Sequence, residues 1–475
     1  MKLLKKIVLW TLVVLVVVAA AFLVVVGPWP VYKDSKYKSA AFYTEAIQAI
    51  DRAVDETGVG EGTGTLSAGW AVRDMTPKVG TPMAGYSARP NGKRSTGVHD
   101  PLFVKALALS DGKDTVVLVG ADMLQTLPNL LELVENKVAG KTPLTPNDIL
   151  YHTSHSHCGP GGLAPGLAAN ISYGKYDPAV TEFLAEQFSA AIIEAYEKLA
   201  PAKLANGVVD VPDFIRNRTR NAPVDSAVNF CVVQQDAGPK CIMMRYSAHP
   251  TVHGGRMTEF TGEYPGAFQR AVEKETGAVA LYVGGAVGSM GPNAPDVPGD
   301  AAARAEAMGR GLARKLIDGM GELKFENVLD VASFSSHFGM PPFQMRPMSP
   351  NWRVSPVFCR LFSGLPPVGR MQMAKIGPMM FVGMPYDFSG ETARDWRLFA
   401  ADKGVNLWVS SHSGAYLGYL SPDKYYNVTE PNGSMDYETG LMGWFGPNTE
   451  AYMADLFHHG FDKLSGAAAE PAGAG

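Results

Sequence analysis

Hydrophobic positions are distributed very unevenly along the chain. Behind Lys2, Lys5 and Lys6, the run from Ile7 to Val26 carries no charge, and its length of about 20 residues is what a helix needs to cross a bilayer. Trp29 follows where interfacial aromatic residues gather. A cleavable signal peptide has a shorter apolar region ending at a small-residue site, whereas Ala19, Ala20 and Ala21 are followed by more apolar chain. The pattern therefore favours an uncleaved anchor over a signal peptide, and the lysine flank sets both ahead of a buried core helix. By the positive-inside tendency the lysines stay in the cytoplasm, so a single-pass protein with its remaining chain on the periplasmic or extracellular side is expected.

Past the anchor, Tyr37 to Val54 has the spacing of a short amphipathic helix, and residues 56–67 (ETGVGEGTGTLS) have the glycine content of a flexible spacer. Extended apolar runs then alternate with helical patterns. Strands are predicted over 103–109, 115–120 and 149–153, with helices over 127–138 and 180–199. The alternation returns with strands over 228–234, 241–247 and 279–283, a helix over 301–317, and strands over 371–376, 379–383 and 406–410. This predicts an α/β fold of mixed sheets flanked by helices. The expected organisation is an anchor over 1–30, a helix and linker over 31–67, one large domain over 68–465 and a disordered small-residue tail over 466–475. Between Met340 and Pro367 prolines interleave with methionine and aromatic residues without periodicity. Such a segment is either a loop covering the core or a wall for a lipid-like ligand, since methionine adapts to irregular apolar shapes.

A formal net charge of -4 with interspersed signs gives no cationic surface for nucleic-acid phosphates, which excludes nucleic acid as a partner class. The four cysteines are too few for a disulfide scaffold. Cys231 and Cys241 flank a hairpin turn predicted over 235–240, so they form either a cross-strand disulfide or two reduced core thiols. Cys158 and Cys359 have no evident mates.

The strongest chemical signal is His152-Thr-Ser-His-Ser-His-Cys-Gly-Pro-Gly-Gly162, directly after a predicted strand. On extended backbone His155 and His157 point to one side, and the glycines beyond allow a tight turn. Three histidines clustered before a glycine turn shift the reading from satisfied polar residues to a metal or catalytic role. His249, in Ser247-Ala-His-Pro-Thr-Val-His253, stands at another strand end. The motif lacks the glutamate of a helical zinc-protease signature and Pro250 breaks a helix, so His249 reads as a single strand-end ligand.

An ordered series of motifs spans most of the chain: Asp74-Met-Thr-Pro77, Pro82-Met-Ala-Gly-Tyr86, His155-Ser-His-Cys-Gly-Pro-Gly-Gly162, Asn217-Arg-Thr219, His249-Pro-Thr251, Tyr264-Pro-Gly266 and Phe445-Gly-Pro-Asn-Thr449. In kind and order they resemble the N-terminal catalytic region of the neutral/alkaline non-lysosomal ceramidase family. The resemblance implies a catalytic Zn2+ held by two histidines, a carboxylate and a tyrosine. It maps these onto His155, His249, Asp387 of Gly383-Met-Pro-Tyr-Asp387, and Tyr419 of Tyr416-Leu-Gly-Tyr419, with Glu391 as the rival carboxylate. It further implies oxyanion stabilisation or substrate fixing by Arg218 and a substrate-facing loop containing Ser289 and Gly291, while His157 is placed to shuttle a proton or to hold a zinc-bound group, and Tyr419 counts with His157 and Arg218 among the catalytic candidates. Where the family has Gly-Asp-Val-Ser-Pro-Asn, this chain reads Gly288-Ser-Met-Gly-Pro-Asn293. Ser289 lacks the glycine two residues earlier that a nucleophile elbow requires, because Val287 stands there.

The expected activity is hydrolysis of the amide of an N-acylated, lipid-like substrate such as ceramide, by attack of zinc-bound water. Two alternatives stay open: a zinc hydrolase for a different amide or ester, and a non-catalytic, envelope-anchored binding protein with a degenerate zinc site.

Overall fold

The computed structural model describes residues 2–29, 35–57, 64–355, 357–358, 368–429 and 435–466. The spacer expected at 56–67 falls partly outside these residues, as do the tail beyond Gly466, Cys359 and most of the last part of the Met340–Pro367 segment.

Two sheets make up the frame. The larger has eight strands: β1 (Ser67–Asp74), β2 (Phe103–Ser110), β3 (Thr115–Ala121), β4 (Ile149–Thr153), β5 (Ala200–Asp210), β6 (Ala227–Gln235), β7 (Lys240–Tyr246) and β8 (Val279–Gly284). Their spatial order is β8-β7-β6-β5-β1-β2-β3-β4. The end pairs β7/β8 and β3/β4 are parallel and every pair between them is antiparallel. The smaller sheet, β9 (Val331–Gly339), β10 (Val368–Ile376), β11 (Met379–Gly383) and β12 (Asn406–Ser410), is antiparallel except for its parallel last pair, β11/β12.

Period-two alternation decides what each face meets. Leu107, Leu109, Leu118, Leu150, Met243 and Leu281 of the large sheet turn inward onto Ala374, Ile376, Phe381 and Trp408 of the small one. On the outer face of the large sheet, Ala106, Val117, Val119 and Tyr151 meet helices α3 (Pro128–Val138) and α4 (Pro178–Glu197). Further along that face, Phe230, Met244 and Tyr282 meet α5 (Glu263–Thr276) and α6 (Ala301–Gly319). The small sheet's outer face packs on α2 (Ala41–Thr57), α7 (Gly390–Ala401) and α8 (Thr449–Ser465). The result is a four-layered α/β sandwich of helices, large sheet, small sheet and helices, preceded by the apolar helix α1 (Lys2–Val25).

Strands 149–153, 379–383 and 406–410 stand where the alternation pattern predicts them. The amphipathic helix before the spacer does more than link: Ala46, Ile50, Ala53 and Val54 of α2 are buried against the small sheet. The hairpin register leaves Cys231 opposite Met243 and Cys241 opposite Val233, and both thiols are free and buried. Of the two readings for this pair, the reduced one holds. The strands stop at Gln235 and resume at Lys240, so the turn centre is displaced from the one that would put the thiols face to face.

Candidate metal and catalytic site

The sheet curls until its two edges meet. A Cβ on Gly284, which ends β8, would lie 2.5 Å from the Thr153 carbonyl at the end of β4, and one on Gly120 would lie 2.6 Å from Tyr282 O. Only glycine permits this backbone approach. It brings the carboxyl ends of β4, β7 and β8 to one place, facing the carboxyl ends of β11 and β12. The loops leaving those five strand ends carry His155 and His157, His249, Gly288–Gly291, Asp387 and His412 respectively. Ligand sites in open α/β sheets form beyond the carboxyl ends of strands in this way.

There the ring nitrogens converge. His157 Nε2 lies 2.9 Å from His249 Nε2 and 3.3 Å from His155 Nε2. His155 Nε2 is 3.5 Å from Asp387 Oδ1, which is in turn 3.3 Å from His412 Nε2. Ligands on a tetrahedral ion with bonds of 2.0–2.1 Å are separated by about 3.3 Å. Two groups among the described residues, His155–His157–His249 and His155–Asp387–His412, have donor atoms all within 4.8 Å of one another, and they share His155.

Tautomers are fixed from behind. His155 Nδ1 donates to Leu124 O at 2.8 Å and His249 Nδ1 to Val287 O at 3.1 Å, leaving each Nε2 with a lone pair facing the cluster. Asp387 is buried. Its Oδ2 accepts from the Tyr416 hydroxyl at 2.8 Å, whereas Oδ1 has no hydrogen-bond donor. A buried carboxylate oxygen without a donor is costly unless a cation or proton completes it. The donor set thus fits a divalent ion that accepts nitrogen and oxygen.

Electrostatics agree with that fit. Burial drives His155 and His249 well below the ordinary histidine value and His157 to about 3, so their rings are neutral near pH 7. Asp387 is also buried, yet its other neighbours, His412 first and Arg218 among them, outweigh desolvation and hold it below the usual carboxylate range. His155 and His412 sit at φ 61° and 60°, a left-handed conformation that non-glycine residues rarely adopt and that concentrates at functional sites. Their rings stack at 3.8 Å and 4°.

The remaining predicted residues take definite places. Arg218 Nη2 donates to the Tyr419 hydroxyl at 2.9 Å and to Gly288 O at 2.7 Å. Short parallel strands put Asp387 opposite Tyr419, so the carboxylate and this phenol share one register position. Gly288 is backed by Asp387 O, 2.4 Å from where a Cβ would be, and a Cβ on Gly291 would meet Arg218 Cβ at 3.2 Å. Ser289 is buried, with its Oγ accepting from Gly390 N at 3.1 Å, beneath the loop. Glu391 is turned away to Lys424 and Tyr425. His253 faces His99, with ring centroids 5.9 Å apart. Sequence reasoning missed His412 and Tyr416: the first lies in a plain serine-rich stretch, and the second was read only as the partner of Tyr419 in a motif.

Comparisons with known proteins bear on this geometry. Residues 66–227 match the family model described as neutral/alkaline non-lysosomal ceramidase, N-terminal. That span holds His155, His157 and Arg218. A neutral ceramidase of Mycobacterium tuberculosis (strain ATCC 25618 / H37Rv) is 24% identical over 257 residues, covering 50% of this chain and 40% of that relative. The chain therefore aligns with less than half of that relative's length. In fold, the chain is similar to a neutral ceramidase from Pseudomonas aeruginosa at a TM-score of 0.70 and 17% identity, over 86% of this chain and 76% of that one. A ceramidase complexed with C2 gives a TM-score of 0.71 at 16% identity, over 86% and 77% of the two chains. Over residues 66–227 the chain is similar to the N-terminal region of the neutral/alkaline non-lysosomal ceramidase family.

Proposed function

We propose that the protein is a zinc-dependent amide hydrolase acting on a ceramide-like N-acylated lipid, anchored by α1 with its site on the non-cytoplasmic side. The observation that carries this reading is the donor-less Oδ1 of buried Asp387, set among neutral histidine nitrogens whose opposite nitrogens are tied to backbone carbonyls. His155, His249 and Asp387 would hold the ion, and Tyr419 lies beside Asp387 to complete the set. When bound, zinc lowers the pKa of a coordinated water to about 7 and polarises an amide carbonyl.

The chain's own residues do the rest. His157 is neutral and half-buried, and its Nε2 faces the ligand nitrogens, so it can accept a proton from the attacking water and pass it to the leaving amine. Arg218 carries its charge to the same end of the site, where it can stabilise the oxyanion that develops on the carbonyl. The family serine would stand at Gly291, where even a Cβ lies tight against Arg218. Arg218 therefore takes up room beside the site that a serine side chain would need, which favours a substrate whose polar end is read by the guanidinium.

The test is a panel of N-acyl lipids and simple N-acyl amines or esters given to the purified full-length chain, with released fatty acid and amine both quantified. Equimolar release from ceramide-like amides, abolished by a chelator and restored by zinc, is expected. Bound zinc with no chelator-sensitive turnover on any member of the panel would instead favour a binding protein.

A further inference from the structure

The apolar helix is fastened to the folded domain. Its last residues continue into the strand Val26–Gly27, which pairs antiparallel with Arg353–Val354, and Ser355 N donates to Val25 O at 2.7 Å. Phe22, still on the helix, has its ring centroid 6.4 Å from that of Trp352. The most apolar 18 residues of the 23-residue span Leu3–Val25 have a mean hydropathy of 3.1, and none of them is buried. A helix leaving the domain through a backbone ladder cannot swivel as it would on a loose linker.

From that ladder a continuous set of contacts leads to the candidate site. Val354 N donates to Met345 O at 2.8 Å, Gln344 N to Trp444 O at 2.6 Å, and Arg346 N to Gly440 O at 3.0 Å. Trp444 then lies 5.3 Å from the Tyr416 ring, whose hydroxyl is on Asp387. Large apolar side chains are exposed beside this route: Met348 at 50%, between Arg346 and Trp352, and Leu441 at 46%, next to Gly440. Tyr437, exposed at 53%, stands edge-on to Tyr419 at 5.4 Å. Exposed apolar groups set along a route between an apolar helix and a candidate site have the chemistry to contact lipid.

We propose that this rim, formed by Met348, Leu441 and Tyr437, is seated in the lipid leaflet that α1 traverses, so that the site draws an acyl-chain substrate directly from the bilayer. The occupant is the acyl and headgroup boundary of that leaflet. This rests on α1 being a membrane anchor and on the lipid-amide reading above.

The experiment places the full-length chain in phosphatidylcholine nanodiscs with a polarity-sensitive fluorophore at Met348→Cys or Leu441→Cys. The same label at Val208→Cys, an exposed apolar position on β5, is the reference. Acyl-chain-brominated lipid should quench the first two labels several-fold more than the reference. Equal quenching at all three positions, with the chain still carbonate-resistant in the membrane, overturns the rim while leaving the anchor intact. Release of the chain by carbonate overturns both. The labels report depth whether or not the enzyme turns over, so a failed amidase reading is distinguishable from a failed rim.

Discussion

At the scale of single residues, the site is a balance between desolvation and charge. Asp387 is buried enough to be pushed towards its neutral form, and neighbours such as His412 and Arg218 keep it ionised. His412 contributes twice, through its 3.3 Å approach to Oδ1 and its stacking on His155. As a positioning residue it should tune the metal without being indispensable for folding. His412→Gln is expected to weaken zinc affinity by roughly 10–100-fold in a chelator competition titration, and an unchanged affinity would remove it from the site's support.

His152 offers an independent check of burial. It is fully enclosed, bonded at Nδ1 to Ser410 Oγ at 2.9 Å, and burial lowers it to about 3. Because the folded value lies below the unfolded one, the unfolded chain binds the extra proton. Stability is complete above about pH 6.5 and is lost as pH falls towards 3, by on the order of 4 kcal/mol over the window. Denaturation midpoints measured against pH should therefore flatten for His152→Asn relative to the parent chain. The sequence exposed the histidines at 155, 157 and 249 because each stands beside a glycine or proline turn at a strand end. Asp387 was accessible only through the family likeness, and His412 not at all, since no local pattern separates a serine-flanked site histidine from an ordinary one.

At the scale of elements, the parallel end pairs matter most, because a parallel pair sends both carboxyl ends to the same side. Glycines at the closing seam let β4 and β8 touch without hydrogen bonding. Gly284→Val would press a branched side chain on Thr153 O, where even a Cβ has only 2.5 Å. Overpacking of this kind costs about 1–3 kcal/mol, and here it also separates the loops carrying His155 and Gly288. A lowered melting temperature together with weakened zinc binding is expected, whereas the same substitution at Gly238, in the open β6–β7 turn, should leave zinc affinity alone. The predicted strands end within a residue or two of their bounds except β10, which starts at Val368 and not Met371, while β1, β5 and β9 were not read from the pattern. Helix α5 was not: it opens with Glu263, Tyr264, Pro265 and Gly266, and this start disguises the apolar stripe of Tyr264, Phe268 and Val272.

At the scale of the whole molecule, two layers of helices enclose two sheets, and the site lies where the sheets' strand ends face each other. That arrangement was only partly visible beforehand. The α/β class follows from alternating patterns, but the pairing of β4 with β3 and of β8 with β7 joins segments too far apart in sequence for periodicity to reveal. The same holds for α2, whose amphipathic face identifies a helix but not the sheet it covers. The account depends on one claim, that side chains from four separate loops hold a single ion. Diffraction from crystals of the full-length chain grown with zinc, recorded on both sides of the zinc absorption edge, tests it directly. The account predicts one anomalous peak per chain within bonding distance of His155, His249 and Asp387; a zinc-loaded crystal whose anomalous density lies away from those side chains would contradict it.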